Sequence, residues 1–141
     1  MREILFRGKR TDNDEWIKGY LHKTDGVGKG YRAFAIQVQD IDSYMCRPHS
    51  HEVQPKTVGQ YTGLTDKNGK KIFEGDIIQG TITSRWDKSL IRCEIVYKGD
   101  CFLAIEKISN TLWEHKIRFA KDIEVIGNIH DNTELLEKDN A

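Results

Sequence analysis

Short runs in which hydrophobic and polar residues alternate cover much of the chain, and they predict β-strands joined by turns. Residues 4–6 and 16–21 are apolar or alternating, and Thr11–Asp14 between them has side chains that favour turns, so a hairpin is expected. Tyr31–Val38 alternates imperfectly and predicts a third strand. Residues 40–55 are mostly polar and contain both prolines of the chain, which predicts a loop or a boundary between two subregions.

The middle of the chain predicts further strands around two turns. Thr57–Tyr61 is expected to be extended, and Asp66–Gly69 ends in an Asn-Gly pair whose tolerance of positive φ suits a tight reversal. Glu74–Asp76 predicts a second bend, after which Ile77–Thr83 is expected to be a strand. The chain should therefore reverse direction twice in this region.

The second half of the chain predicts another hairpin, in which Leu90–Tyr97 pairs with Cys101–Glu106 across a Lys-Gly-Asp turn. Side chains two positions apart share one face of a strand. The apolar positions of both arms, including Cys93 and Cys101, are therefore expected to be core residues.

The closing part of the chain has a weaker pattern. Residues 112–129 are ambiguous, although the alternation of Ile123 and Val125 favours a closing strand. Asp131 or Asn132 is suited to cap a short terminal helix. The predicted fold class is mainly β, with small, strongly bent antiparallel sheets and a short C-terminal helix.

Composition and charge place the chain among ordinary globular domains. Its 141 residues, 38% of them hydrophobic and 31% charged, are typical of a soluble domain with one core. Because 22 Lys and Arg balance 22 Asp and Glu, no net field draws the protein to phosphates or to acidic partners. A nucleic-acid function would need a local cluster of basic residues.

The cysteines and the apolar runs indicate the compartment. Cys46, Cys93 and Cys101 are an odd, widely spaced set without a CxxC pair, which argues against a disulfide framework or a cysteine-rich zinc site. A reducing cytoplasm is expected. No apolar run approaches the roughly 18 residues that span a bilayer, so no membrane partner is expected.

Two small basic clusters and one loop tryptophan are the candidate binding residues. Solvated charges beside strands explain the basic residues as well as a binding role does. Trp86 has polar neighbours, which suits stacking on a base or a peptide, although core packing is the usual role of tryptophan. The candidates are Arg7, Lys9, Arg10, Lys70, Lys71, Arg85 and Trp86.

Two segments that resemble ligand-binding motifs are incomplete. Gly26–Gly30 is glycine-rich, but its lysine is not followed by the Ser or Thr of a Walker loop. Cys46, His49 and His51 are close in sequence, yet they lack a distant fourth ligand at a recognisable spacing. Neither a metal nor a cofactor is therefore predicted.

Glu114 and Lys116 have the spacing by which many metal-dependent nucleases hold a cation and a water molecule from one strand. The carboxylate that completes such a site would be Asp87 or Asp100, and neither follows a proline. Alternating charges on a strand are most often its solvated face. No catalytic residue is assigned, and an enzyme is the third hypothesis.

A family resemblance rests on Gln60–Ile78, with the sequence QYTGLTDKNGKKIFEGDII. This segment resembles the corresponding part of the YopX family, small proteins carried by bacteriophages and prophages. Residues 2–7, 125–129 and 134–136 also resemble the family, whereas Thr133 stands where proline is common in it. The resemblance implies no biochemical role, because none is established for the family.

The resemblance implies an SH3-like barrel in the C-terminal part of the chain. Residues 1–55 are then expected to form a β-rich region that packs on the barrel, and residues 56–141 to contain the barrel and the short helix. The function expected first is that of an accessory protein without catalysis, which binds a protein partner or forms a homo-oligomer. The alternative is a nucleic-acid-binding module that uses the basic turns and Trp86.

Overall fold

The computed structural model describes residues 3–25, 32–39, 48–83 and 85–136. Within these ranges the chain is mainly β, as predicted, with eleven strands in two antiparallel sheets, three short 3-10 helices and no α-helix. Contacts within the chain divide it into two compact units, residues 1–61 and 62–141. The sequence predicts a boundary slightly earlier, after residue 55.

The first unit contains most of one antiparallel sheet. The predicted N-terminal hairpin is confirmed, with Phe6 opposite Gly19, and the predicted third strand pairs with it, with Leu21 opposite Ile36. Neighbouring strands follow the order β4-β3-β2-β1-β5, and β5 runs on into the second unit. The strands are β1 (Phe6–Lys9), β2 (Trp16–Asp25), β3 (Arg32–Gln39), β4 (Pro48–Val53) and β5 (Gly59–Thr65), with a 3-10 helix at Pro55–Thr57 before β5.

Strand β4 shows that the prediction of a loop across residues 40–55 was wrong in its second half. Pro48–Val53 pairs with β3, with Phe34 opposite Val53. β4 is an edge strand, which needs a backbone partner on one side only. Ser50 and Glu52 are exposed while Val53 is buried, so a polar sequence is compatible with this strand.

The second unit contains the five-stranded sheet, in the order β10-β9-β8-β7-β11, and β6 beside the end of β5. The predicted turn at Asp66–Gly69 and the predicted hairpin across Lys98 and Cys101 are confirmed. The strands are β6 (Lys71–Phe73), β7 (Asp76–Thr83), β8 (Lys88–Lys98), β9 (Cys101–Ile108), β10 (Thr111–Lys116) and β11 (Lys121–Asn128), with 3-10 helices at Ile117–Phe119 and Thr133–Leu135.

The core of the second unit lies on one face of this sheet. Cys93 is fully buried, as predicted, but Cys101 is exposed, so the prediction of two core cysteines was half wrong. The reason is register: Ile95 lies opposite Ala104, which turns the even-numbered residues of β9 toward the core. The buried cluster is Ile72, Ile78, Ile91, Cys93, Ile95, Ala104, Ile117 and Val125.

The end of the described chain is a single 3-10 turn, Thr133–Leu135, in place of the predicted terminal helix. Asn132 occupies the position before this turn, but its side chain does not cap it. Instead, its side-chain oxygen accepts a hydrogen bond from the Asn128 N–H at 3.3 Å. The SH3-like barrel that the resemblance implies is unconfirmed, because the strands of the described ranges form no closed barrel. None of the described helices is long and apolar enough to cross a membrane.

Candidate functional site

The most recognisable part of the sequence, Gln60–Ile78, contains a turn held by one carboxylate. Asp66 is 7% exposed, and its Oδ1 accepts hydrogen bonds from the backbone N–H groups of Asn68 and Lys70, each at 2.9 Å. Its Oδ2 accepts a third bond, at 3.0 Å, from the backbone N–H of Val125 in β11. Asp66 therefore shapes the reversal, which we call the Asp66 turn (residues 66–70), and ties it to β11.

Two opposing effects act on the Asp66 carboxyl. Burial raises its pKa, but the backbone N–H bonds from Val125, Lys70 and Asn68 favour the charged form and together outweigh burial. The pKa of Asp66 is consequently below its ordinary value. Asp66 is a stable carboxylate at neutral pH, which suits a structural anion and not a general acid or base.

The second bend of the segment has the same character. Asp76 is 1% exposed, and its Oδ2 accepts a hydrogen bond from the backbone N–H of Phe73 at 2.7 Å. Gly75 between them has φ +91°, a conformation that glycine adopts without strain. Asp66 and Asp76 thus hold backbone in place, so each has a structural role in the segment Gln60–Ile78.

A different part of the second unit offers a surface for binding. β10 is an edge strand that pairs regularly with β9, beginning with Thr111 opposite Ile108 at a two-residue turn. Hydrogen-bonded and non-hydrogen-bonded pairs alternate from such a turn, so the backbone N–H and C=O groups of Leu112, Glu114 and Lys116 point away from β9. Among the residues described, no strand covers them.

Large apolar side chains are exposed on both faces of β10. Leu112 is 64% exposed on one face and Trp113 is 53% exposed on the other, where Ile108 lies diagonally beside it. Glu114 forms an ion pair with Lys98 of β8, which neutralises the acidic residue of this edge. Edges are commonly protected by charges or bulges. The edge of β10 has one exposed lysine, Lys116, at its end, but it has no bulge and carries exposed apolar groups.

The opposite edge of the same sheet, β11, is partly occupied. The Val125 N–H donates to Asp66, and the Ile123 C=O accepts a hydrogen bond from the Lys67 N–H at 2.8 Å. The Asp66 turn therefore already uses backbone groups of β11. Of the two edges, β10 is the open one.

The predicted basic residues of the first unit are engaged with their own hairpin. Arg7 is buried, with its guanidinium carbon 4.8 Å from the centre of the Trp16 ring, and the Lys9 ammonium lies 5.5 Å from the same centre. Arg10 holds Asp12 through two hydrogen bonds, of 2.9 and 2.6 Å, which lower the pKa of Asp12. Phosphate contact by Arg7 would require it to leave this position.

The predicted candidates of the second unit lie at two turns. Lys70 is exposed at the end of the Asp66 turn, and Lys71 begins β6. Arg85 and Trp86 are in the connection between β7 and β8, and Trp86 is 90% exposed. Core packing, the usual role of tryptophan, therefore does not apply to Trp86, while its role in binding stays a prediction.

The structure offers little support for the metal and nuclease motifs. Within the described ranges, no group of three His, Cys, Asp or Glu residues lies close enough to hold a metal. Glu106, which is buried, lies 3.2 Å from His115 Nε2, and Glu114 is held by Lys98. Gly26–Gly30, Cys46 and the side chain of His49 lie outside the described part of the chain.

Comparisons with known proteins agree with the resemblance predicted from Gln60–Ile78. A family model described as "YopX protein" matches residues 5–137. The crystal structure of protein EF1440 from Enterococcus faecalis is similar, with a TM-score of 0.53 and 24% sequence identity over 97% of this chain and 100% of that chain. At that identity the similarity is evidence of the fold alone. No curated protein matches the sequence.

Proposed function

This chain belongs to the YopX family, and because its own fold leaves the backbone of β10 open, we propose that it acts without catalysis, by binding another polypeptide along that edge. The observation that carries the proposal is the combination of outward N–H and C=O groups with the exposed side chains of Leu112 and Trp113. An added strand would complete the backbone hydrogen bonds and cover both apolar groups.

The energetic gain from such an added strand is appreciable. Fully burying a large apolar side chain contributes about 1.5–3 kcal/mol, and Leu112 and Trp113 each keep more than half of their surface exposed. Covering both therefore contributes about 2–3 kcal/mol, before the backbone bonds at about 1 kcal/mol each. The occupant is an extended segment of a protein partner or of a second copy of this chain.

The test uses a proline that removes an outward donor. Leu112→Pro deletes the exposed side chain and an N–H that does not bond to β9, so the hairpin keeps its internal ladder. Trp86→Ala is the matched control, because it removes another exposed apolar side chain from a different place. Tagged proteins are compared by affinity capture from phage-infected or prophage-induced cells, with and without nuclease, and purified proteins by light scattering.

We expect wild type and Trp86→Ala to retain a nuclease-resistant protein partner or a mass above that of the monomer. Leu112→Pro should lose the captured partner and have the mass of a monomer, while its thermal unfolding stays cooperative. If Leu112→Pro retains them, β10 is not the binding surface. Turnover of a substrate that one carboxylate substitution abolishes would refute the absence of catalysis.

Nucleic-acid binding is a second candidate function, favoured by the exposed pair Arg85 and Trp86. Stacking of a base on a tryptophan contributes about 1–3 kcal/mol. This function predicts an affinity that falls steeply with salt and that Trp86→Ala and Arg85→Ala both weaken. An interaction insensitive to salt would reject it.

We further propose that the protein is a phage or prophage accessory protein of the host cytoplasm. Family membership supports the phage origin, and the free thiols of Cys93 and Cys101 support a reducing compartment. The SH3-like barrel in residues 56–130 is also a proposal, supported by the two register shifts between β11 and β7, since bulges bend a sheet. An experimental structure whose strands fail to close there would refute the barrel.

A further inference from the structure

A pocket of about 390 Å³ opens beside the Asp66 turn in the second unit. Its apolar lining consists mainly of Leu64, Ile72, Ile117 and Ile123, and Ile72 and Ile117 are also part of the buried cluster. Pockets for small ligands have volumes of roughly 300–1,000 Å³. The volume therefore suits a small organic group, and the lining combines these apolar side chains with polar and charged ones.

The two walls of this pocket are bonded to each other. One wall is the Asp66 turn and the other is the start of β11. The Lys67 N–H donates to the Ile123 C=O at 2.8 Å, and the Asp66 carboxylate accepts the Val125 N–H at 3.0 Å. These bonds fix the positions of the two walls relative to each other before any ligand arrives, and such preorganisation reduces the cost of binding.

Charged groups surround the mouth of the pocket. Arg118 is exposed, and in the described part of the chain neither an ion pair nor a side-chain hydrogen bond engages it. Lys67, in contrast, lies 3.5 Å from Glu124. Arg118 is therefore the cation best placed to receive a ligand, and its planar guanidinium pairs with a carboxylate through two parallel bonds.

The backbone at Asp122 is a second, independent sign of a ligand site. Asp122 lines the pocket with φ +56°, a conformation that residues other than glycine adopt rarely, and it lies where the register between β11 and β7 shifts. Bulges are over-represented beside functional sites, where they redirect a side chain. The exposed carboxylate of Asp122 can also accept a hydrogen bond from a ligand N–H.

We propose that this pocket, called here the Arg118 pocket, binds an apolar carboxylate. The apolar group contacts Leu64 and Ile123, the lining residues that keep accessible apolar surface, and the carboxylate pairs with Arg118. Two sources have this chemistry, a small organic acid and the C-terminal residue of a peptide, and only the peptide offers an N–H to Asp122. The residues of the pocket are separate from the exposed edge of β10, so the two proposals stand independently.

The test is an NMR titration of the full-length, ¹⁵N-labelled protein with two acids, octanoate and an acetyl-Gly-Gly-Ile peptide with a free carboxylate. Octanamide and the amidated peptide are the neutral counterparts. We expect each acid to shift the backbone amides of Lys67, Ile123 and Val125 and to bind roughly tenfold to a hundredfold more tightly than its amide. Arg118→Gln should abolish that preference, whereas Arg85→Gln, another exposed arginine, should retain it.

Each outcome decides the proposal or the source of the ligand. Tighter binding of the peptide acid than of octanoate supports the proposal with a polypeptide C-terminus as the source, and the reverse order supports it with a small organic acid. The proposal is overturned if no probe shifts these amides at millimolar concentration, if acids and amides bind equally, or if Arg118→Gln keeps the preference. Urea unfolding of Arg118→Gln checks that the fold is intact.

Discussion

Replacing Asp66 with alanine removes the acceptor of three backbone N–H groups and should destabilise the protein substantially. The Val125 N–H is buried, and an unpaired buried donor costs about 1–3 kcal/mol. The N–H groups of Asn68 and Lys70 lie in an exposed turn, where water replaces the carboxylate, so each bond adds about 0.5 kcal/mol. The expected loss for Asp66→Ala is therefore about 2–4 kcal/mol.

Urea unfolding at neutral pH, followed by circular dichroism, measures this loss. With a slope of about 2 kcal/mol per molar urea, the midpoint of Asp66→Ala should fall by about 1–2 M. Asn68→Ala is the control, because its backbone N–H still donates to Asp66 and its own side chain is exposed, so a change within about 0.5 kcal/mol is expected. Equal midpoints for the two variants would refute the reasoning.

The charge of Asp66 also makes stability depend on pH. Its folded pKa is lowered, so its contribution is fully present above the unfolded pKa of about 3.9 and is lost as the pH falls through the folded pKa. Asp66→Asn should be less stable than wild type at neutral pH, and the difference should shrink below about pH 4. If the stability difference between Asp66→Asn and wild type is the same at neutral pH and below about pH 4, the charge of Asp66 does not contribute to stability.

Three further predictions concern single positions. Gly80→Ala places a Cβ 2.7 Å from the Cβ of Ala120, which is too close for two carbon atoms. The substitution should lower the free energy of unfolding by about 1–3 kcal/mol in the same urea assay. An unchanged urea midpoint would contradict this packing. Burial raises the pKa of Glu94, so its charged form costs stability as the pH rises through the folded pKa. Glu94→Gln should therefore stabilise the protein at neutral pH and not at acidic pH. A gain in the free energy of unfolding at acidic pH would count against this. In a Cys46→Ser background, a thiol reagent should modify Cys101 in the native protein and Cys93 only after unfolding. Fast reaction of Cys93 in the native protein would contradict its burial.

The sequence predicts the strands best where turn residues enforce them. The Asn-Gly pair before Lys70 and the Lys-Gly-Asp turn before Cys101 mark their hairpins correctly, because glycine there meets a backbone requirement. β4 escapes prediction because an edge strand tolerates polar side chains. The exposure of Cys101 could not be predicted from the sequence, because alternation groups the residues of a strand by face but does not say which face is buried.

The candidate surfaces depend on contacts that the sequence does not display. Leu112 and Trp113 form a hydrophobic pair like many core pairs, and only the sheet order shows that their strand lies at an edge. The Arg118 pocket joins residues 64–67 to residues 117–123, which are distant in sequence. The polar neighbours of Trp86 make it a candidate for an exposed site, but the sequence leaves core packing open and only the structure shows the exposure.

Amide hydrogen exchange along β10 tests the central claim most directly. The N–H groups of Leu112, Glu114 and Lys116 point outward and should exchange quickly in the monomer, while the Trp113 N–H bonds to β9 and should be protected throughout. When the captured partner is added, or the concentration is raised until the protein associates, the account predicts that the three outward amides become protected. Continued fast exchange of these amides in the complex would contradict binding at the edge of β10.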